Sequence, residues 1–559
     1  MIGFGARSGR RRTPRHSALR GGLRRAMGYA AVLVLGWMLP VITPSGTAQT
    51  AADAALLVQT EAGALRGRIG KGVREFRGIP FAAPPVGPLR FAPPAAAQPW
   101  PGVRDATRFG AACPQVVRFG LTEASDEEDC LHLNVATPLA GSRKPRPVLV
   151  WFYGGAFVGG ASNLYALDYL ARQGDLVVVS SNYRLGALGF MSHPAFAPDS
   201  NGGYALEDQR AALRWVQRNI ARFGGDPGNV TIAGVSAGAF SVCAQLFTPE
   251  RAAGLFHRAI IQSAGCTQPM RSVADANRIG LEVATLVGCG DPATALACLR
   301  SKSAHDVVAA GMQITAREPL AFAPSVGTAA LPRQGEDALR SGRFVRVPII
   351  NGGTRDEMRL YAGYDVAAGA VIDQETYGAR LQAVYGDHAS QVLQRYPAAQ
   401  YSSAATALGT AMSDYSPSAG LGNCLFLRTA ALASRWVPVY EYEFADRNAP
   451  PVMADPGIEL GAVHTAELPY QFPNFSNTSR WDGPALTPPA QRLADEMLAY
   501  WASFARSGAP AAGQQTAWRR FKSDRDVLRL EPGNVRMIDG GAEHRCDFWQ
   551  RLYPAALSP

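Results

Sequence analysis

The chain has 559 residues, 47% of them hydrophobic, which is enough for a large buried core. Its net charge of +10 sits at one end: Arg7, Arg10, Arg11, Arg12, Arg15, Arg20, Arg24 and Arg25 supply eight of those charges, and residues 1–29 contain no acid. The rest is close to neutral, which excludes an electrostatically driven nucleic-acid binder.

Residues 29–42 are an uncharged run of 14 residues, short of the roughly 20 that a membrane-spanning helix needs. Gly46 and Ala48 then occupy the −3 and −1 places of a cleavage after Ala48. Residues 1–48 read as a secretory signal peptide, implying a secreted or periplasmic protein with no stable membrane insertion after its removal. An uncleaved anchor is the alternative, and Arg24-Arg25 leaves a twin-arginine route open.

Residues 49–559 read as a single domain. Residues 58–60 and 65–69 alternate around Gly63 as an antiparallel hairpin would. Residues 76–91, with Pro80, Pro84, Pro85 and Pro88, predict an ordered surface strap rather than a central strand. Strands are expected at 131–135, 148–152 and 176–180, the second so apolar that it should be central. Residues 205–223 carry Leu206, Leu213, Trp215, Val216 and Ile220 at helical spacing and stop at Gly224-Gly225-Asp226-Pro227. Further strands are expected at 230–232, 259–261, 347–350, 437–442 and 527–530, and an amphipathic helix at 490–506. Residues 360–430 lack a clean strand and read as a mainly helical insertion above the sheet. Apolar strands alternating with helices indicate an α/β fold. Its central sheet should be mostly parallel with helices on both faces, beside a small N-terminal antiparallel sheet.

The 230–232 strand runs into Gly234-Val235-Ser236-Ala237-Gly238 and then a small-residue helix. A serine on a tight strand-to-helix turn needs neighbours without bulk two residues before and after it, and its hydroxyl then stands near unpaired helix N–H groups. Ser236 is therefore a candidate nucleophile, with the Ala237 N–H as one donor for a tetrahedral oxyanion. The loop Tyr153-Gly154-Gly155-Ala156, leaving the 148–152 strand, offers Gly155 and Ala156 as the others. A base must follow. His464, in an apolar loop just after a glycine turn, ranks ahead of His388 in a polar stretch and His544 near the C-terminus. The 347–350 strand leads through two glycines to Asp356-Glu357, and residue chemistry alone does not choose between these acids.

Eight cysteines follow the leader, an even number compatible with disulfides in an exported chain. No cysteine or histidine spacing matches a metal site, so a metal is not expected.

Residues 76–91, Glu128-Asp129-Cys130-Leu131-His132-Leu133-Asn134-Val135, Ser181-Asn182-Tyr183-Arg184-Leu185-Gly186-Ala187-Leu188-Gly189-Phe190 and residues 208–238 carry a specific likeness. From about residue 54 onward the chain resembles the type-B carboxylesterases, the α/β-hydrolase branch that includes cholinesterases and fungal lipases. The resemblance implies Ser236 as nucleophile, Glu357 rather than Asp356 as acid, His464 as base, and Gly155, Ala156 and Ala237 as oxyanion donors. It also implies disulfides Cys113–Cys130, Cys289–Cys298 and Cys424–Cys546. Cys243 and Cys266 are left over, open to a fourth bridge or to buried free thiols. Two departures from the family pattern are Ala156, where a third glycine is usual, and Met358, where glycine follows the acid.

The implied reaction is ester hydrolysis through an acyl-enzyme, with a small-molecule ester as partner and no cofactor. The segment between Cys113 and Cys130 has no tryptophan to stack on a choline cation. At 16 residues with six charges, it also makes a poor lipase lid. Met270, near the place of an acyl-pocket tryptophan in cholinesterases, suggests an adaptable acyl site. The expectation is a general carboxylesterase for soluble short- to medium-chain esters. The alternatives are a lipase or other specialised acyl-ester hydrolase and, from another class, a non-catalytic adhesion protein on the same fold.

Overall fold

The structure is a computed structural model that describes residues 55–117, 124–198, 201–475, 483–511, 513 and 515–558. The expected signal peptide lies outside these residues. Everything described below lies in one compact unit, Ala52–Pro559.

Eleven strands make the main sheet: β1 (Arg68–Gly70), β2 (Val73–Pro80), β3 (His132–Pro138), β4 (Arg146–Phe152), β5 (Val177–Ser181), β6 (Gly225–Val235), β7 (Arg258–Gln262), β8 (Ile349–Thr354), β9 (Val439–Phe444), β10 (Val527–Leu530) and β11 (Arg536–Ile538). Their spatial order is β11-β10-β9-β8-β7-β6-β4-β5-β3-β2-β1. From β5 across to β10 all neighbours are parallel, and antiparallel pairs close both edges. β4 and β6 lie side by side in the middle, with Val150 beside Ile232 and Phe152 beside Gly234. Both faces of this region are covered, which is why Val148–Phe152 of β4 and the buried end of β6 from Val230 onward are almost wholly apolar. Helix Pro488–Ser507 packs on β4 and β6, as does helix Tyr204–Asn219 on β6. Thr487 accepts the Ala490 N–H at the start of the former, and Gly508, with φ of 79°, ends it.

Two N-terminal expectations are corrected. The strap begins as a sheet strand: β2 pairs with β3, and Phe76, Ile79, Phe81 and Phe91 are all buried. A register shift between Phe76 and Ile79, at Gly78 with φ of 65°, lets the strand bend before the prolines begin. Residues 65–69 are likewise not one strand. Ala64–Arg66 pairs in a small three-stranded sheet with Leu57–Gln59 and Val103–Asp105, whereas Arg68–Gly70 joins the main sheet as β1.

Residues 359–433 contain the helices Arg359–Ala367, Tyr377–Tyr385, Ala389–Arg395, Ala404–Asp414 and Asn423–Ala433. They enclose a second apolar core around Tyr377, Leu381, Tyr396 and Trp549, the last supplied by the C-terminal helix Cys546–Leu552. Helix Asn423–Ala433 packs on β8 and ties this region to the sheet.

Disulfides join Cys113 to Cys130, Cys289 to Cys298 and Cys424 to Cys546. Cys243 and Cys266, the pair the sequence left open, are bonded as well, so no cysteine is free. Among the described residues no helix is long and apolar enough to cross a membrane, and no group of His, Cys, Asp and Glu is arranged to hold a metal.

Candidate active site

Ser236 sits between β6 and helix Ala237–Leu246 at φ 56° and ψ −124°, a conformation an L-residue holds only under steric constraint. The two glycines make the turn possible. A Cβ at Gly234 would meet the Gly238 backbone, and one at Gly238 would collide with the Phe152 carbonyl oxygen. The Ser236 N–H is spent on the Gln262 carbonyl (2.9 Å), which fastens the turn to β7. Ala237 opens the helix, where its N–H has no intrahelical acceptor.

Beyond β4, the loop from Tyr153 to Gly160 doubles back: the N–H groups of Val158 and Gly159 both donate to the Gly155 carbonyl at 3.0 Å. Gly155 has φ of 126° and Ala156 of 53°, and a Cβ on Gly155 would overlap the Gly159 carbonyl. Among the described residues the N–H groups of Gly155 and Ala156 have no acceptor. Gln115 braces the loop from outside: its Oε1 accepts the Gly160 N–H (2.9 Å) and its Nε2 donates to the Gly160 carbonyl (3.0 Å). The loop that begins at Cys113 thus helps hold the donors in place.

His464 is buried, and its Nδ1 lies 2.6 Å from Glu357 Oε2. The other oxygen of Glu357 accepts the Thr354 N–H (2.8 Å) and the Ser263 hydroxyl. Burial opposes a charged His464, but the Glu357 carboxylate outweighs it and leaves the imidazole pKa raised. Ser236 and His464 face one cavity of about 50 Å³, together with Gly155 and Ala156. Tyr165, Leu360, Tyr361, Tyr364, Leu468 and Phe475 complete its walls. A hydroxyl at a helix start, an imidazole fixed by a buried carboxylate, and loop N–H groups without acceptors are the components acyl transfer requires.

Residues 54–549 match the carboxylesterase family. The chain belongs to that family. It is 34% identical to the fumonisin B1 esterase of Sphingopyxis macrogoltabida over 89% of its own length and 90% of that protein. It is also 34% identical to the para-nitrobenzyl esterase of Bacillus subtilis (strain 168), covering 89% of this chain and 99% of the relative. A solved structure of a PNB esterase superposes with a TM-score of 0.73 at 30% identity, over 88% of this chain and all of that one. This carboxylesterase is accordingly a serine-type hydrolase of carboxylic esters with the α/β-hydrolase fold.

The carboxylesterase separates the two acids that residue chemistry left open. Asp356, also buried, receives both Arg447 Nε (3.1 Å) and Nη2 (3.0 Å) and the Ala462 N–H (3.0 Å). It anchors the turn before His464 without touching the imidazole. Met270 is half-buried, its backbone pairs with the Gln334 side chain, and it is not among the residues lining the cavity at Ser236. The expectation that it shapes that pocket has no support in this geometry.

Sequence reasoning passed over three residues. Ser263, with φ of 60°, is oriented by its N–H to the Gly352 carbonyl (2.7 Å) and supports Glu357. The Tyr361 ring lies tilted against that of His464, their centroids 5.9 Å apart. Glu467, three residues after His464, is fully buried, with one oxygen near Gln262 Nε2 (3.4 Å) and the other without a partner. Burial and the nearby Glu357 charge push its pKa up to about 7. A serine after a strand and an acid three residues past the histidine were the available signals.

Proposed function

We propose that this carboxylesterase hydrolyses soluble esters with short to medium acyl chains, with Ser236 as nucleophile, His464 as general base and acid, and Glu357 as the orienting carboxylate. His464 takes the Ser236 proton as Oγ adds to the ester carbonyl. The oxyanion forms opposite the N–H groups of Gly155, Ala156 and Ala237, each such donor being worth about 3 kcal/mol in the transition state. The C–O bond to the alcohol then breaks, and the alkoxide leaves with the proton from His464. Water, deprotonated by the same imidazole, attacks the acyl-enzyme and frees the acid and the serine. Glu357 keeps the Nδ1 proton in place throughout.

The observation that carries the chain-length reading is the cavity itself: about 50 Å³ beside Ser236, walled by Tyr165, Tyr361, Tyr364 and Phe475. It is small compared with pockets that hold drug-sized ligands, which run to several hundred Å³. The absence of tryptophan between Cys113 and Cys130 supports the lack of a choline preference. The N-terminal arginines and apolar run support export from the cytoplasm. The deciding measurement is kcat/KM for p-nitrophenyl butyrate and palmitate, below and above the aggregation point of the longer ester. Butyrate should be preferred, and a palmitate preference above tenfold or a jump at the emulsion interface would make the enzyme a lipase.

A further inference from the structure

At the end of the sheet away from Ser236, the starts of β4 and β6 border a cleft of about 790 Å³. β4 enters at Arg146 on this cleft and ends at Phe152 beside the oxyanion loop, so at about 3.3 Å per residue the two sites are about 20 Å apart. Arg74, Arg143, Lys144, Arg146 and Arg222 line the cleft, and among the described residues no carboxylate does. Arg143 and Lys144 lie on the turn between β3 and β4, which is tightened by Ser142, whose hydroxyl accepts the Lys144 N–H (3.2 Å) and donates to its carbonyl (2.6 Å).

The partners of these cations are few. Arg146 has Asp175 outside the cleft (2.6 Å) and the Ala140 carbonyl (2.7 Å). Among the described residues Arg74 reaches only the Ala55 carbonyl (3.0 Å), and its buried Nε has no partner there. Burial and the neighbouring Arg146 charge both hold the Arg74 pKa below its ordinary value. Arg143, Lys144 and Arg222 are exposed and form no ion pair among the described residues. Arg184 meets Asp208, Arg210 meets Glu207 and Arg529 meets Glu443, and Arg146 likewise has Asp175, whereas Arg74 has no carboxylate partner among the described residues. Two guanidinium groups close enough to repel, one of them with an unused buried donor, are stabilised when an anion lies between them.

We infer that this cleft is a second binding site, distinct from the esterase centre, for a compact, multiply charged anion of the phosphate or phosphate-ester type. Guanidinium forks suit tetrahedral oxyanions because they donate two parallel N–H bonds to them. The volume exceeds that of one phosphate, which favours a ligand with more than one charged group. The same chemistry arrives on a soluble polyphosphate or on the headgroup of an anionic lipid.

The test compares the wild-type chain with an R143Q/K144Q/R222Q variant prepared in the same form, so that all other arginines contribute equally. The three side chains are exposed, and kcat/KM for p-nitrophenyl butyrate should stay within twofold. Inorganic pyrophosphate is titrated by calorimetry at low and at high NaCl, and co-sedimentation is measured with phosphatidylcholine vesicles with and without phosphatidylglycerol. Saturable, salt-sensitive pyrophosphate binding that weakens at least tenfold in the variant establishes a site for a soluble anion. Binding only to the phosphatidylglycerol vesicles, lost in the variant, establishes the lipid-borne source. Absence of binding to both probes, or equal binding by variant and wild type, overturns the inference. A second variant, Arg74→Met, should weaken the same ligand while leaving ester hydrolysis unchanged; unaltered affinity there also counts against it.

Discussion

The Glu357 carboxylate lies 2.6 Å from His464 Nδ1, while that of its chain neighbour Asp356 is taken up by Arg447 and the Ala462 N–H on the same loop. Consecutive side chains diverge, so one acid governs the imidazole and the other the backbone that presents it. The two substitutions should therefore fail differently. Glu357→Gln is expected to lower kcat by about 10³–10⁴ with little change in urea unfolding, since the imidazole loses its orienting charge. Asp356→Asn should lower stability by about 2–4 kcal/mol, because Arg447 and the buried Arg359 lose their shared carboxylate. Paired kinetics and urea melts check this, and matching profiles for the two variants would contradict the division of labour.

The oxyanion loop gives a second test. Because a Cβ on Gly155 meets the Gly159 carbonyl, Gly155→Ala must move the loop. The expected result is a 10²–10³-fold fall in kcat, about 3–4 kcal/mol, with KM little altered. A fall in KM of the same size as that in kcat would point to a ground-state effect instead.

Glu467 should leave a signature in pH-dependent stability. Its folded pKa, raised to about 7 from an ordinary value near 4.5, means the folded state holds this proton more tightly than the unfolded chain. Stability from this group is present below about pH 4.5 and declines as pH rises towards 7. Glu467→Gln removes that decline, so the variant should gain on the wild type between pH 5 and pH 8 in urea melts. A pH-independent difference between the two proteins would refute it.

His544 gives the same sign in a higher pH window. It is buried with Nδ1 2.7 Å from Asp414 and Nε2 2.5 Å from Glu443. Burial works against its charge, yet the two carboxylates prevail and raise its pKa to about 10. This stabilisation is complete below the unfolded value of about 6.5 and disappears as pH passes 10. His544→Gln should cost about 3–5 kcal/mol at pH 7 and leave kcat intact, because it strands two buried carboxylates that do not line the cavity at Ser236. A loss under 1 kcal/mol would show that Arg529, which pairs with Glu443 (2.6 Å), and Arg545, which pairs with Asp414 (3.0 Å), suffice.

The thiol count is a direct check on export and oxidation. With four bridges, titration of the unfolded, unreduced protein should find no free thiol. N-terminal sequencing should begin near Gln49. Two free thiols would mean the Cys243–Cys266 bond is absent.

What the sequence determined by itself follows from local sterics and patterning. The Ser236 turn was legible because Gly234 and Gly238 are required within five residues of chain, whatever packs around them. The apolar runs within β4 to β6 were legible because strands covered on both faces leave few polar positions. Pro80, Pro84, Pro85 and Pro88 concealed β2, since its buried Phe76 and Ile79 pair with β3 just before the prolines begin. The family resemblance pointed to Glu357 as the acid, but only the tertiary structure decided what holds Asp356 aside, that Ser263 supports Glu357, that Cys243 reaches Cys266, and that five cations share one cleft without an acid among the described residues. Each of these depends on the distance between side chains far apart in the chain, and that distance is set by how strands and loops converge rather than by any residue's neighbours.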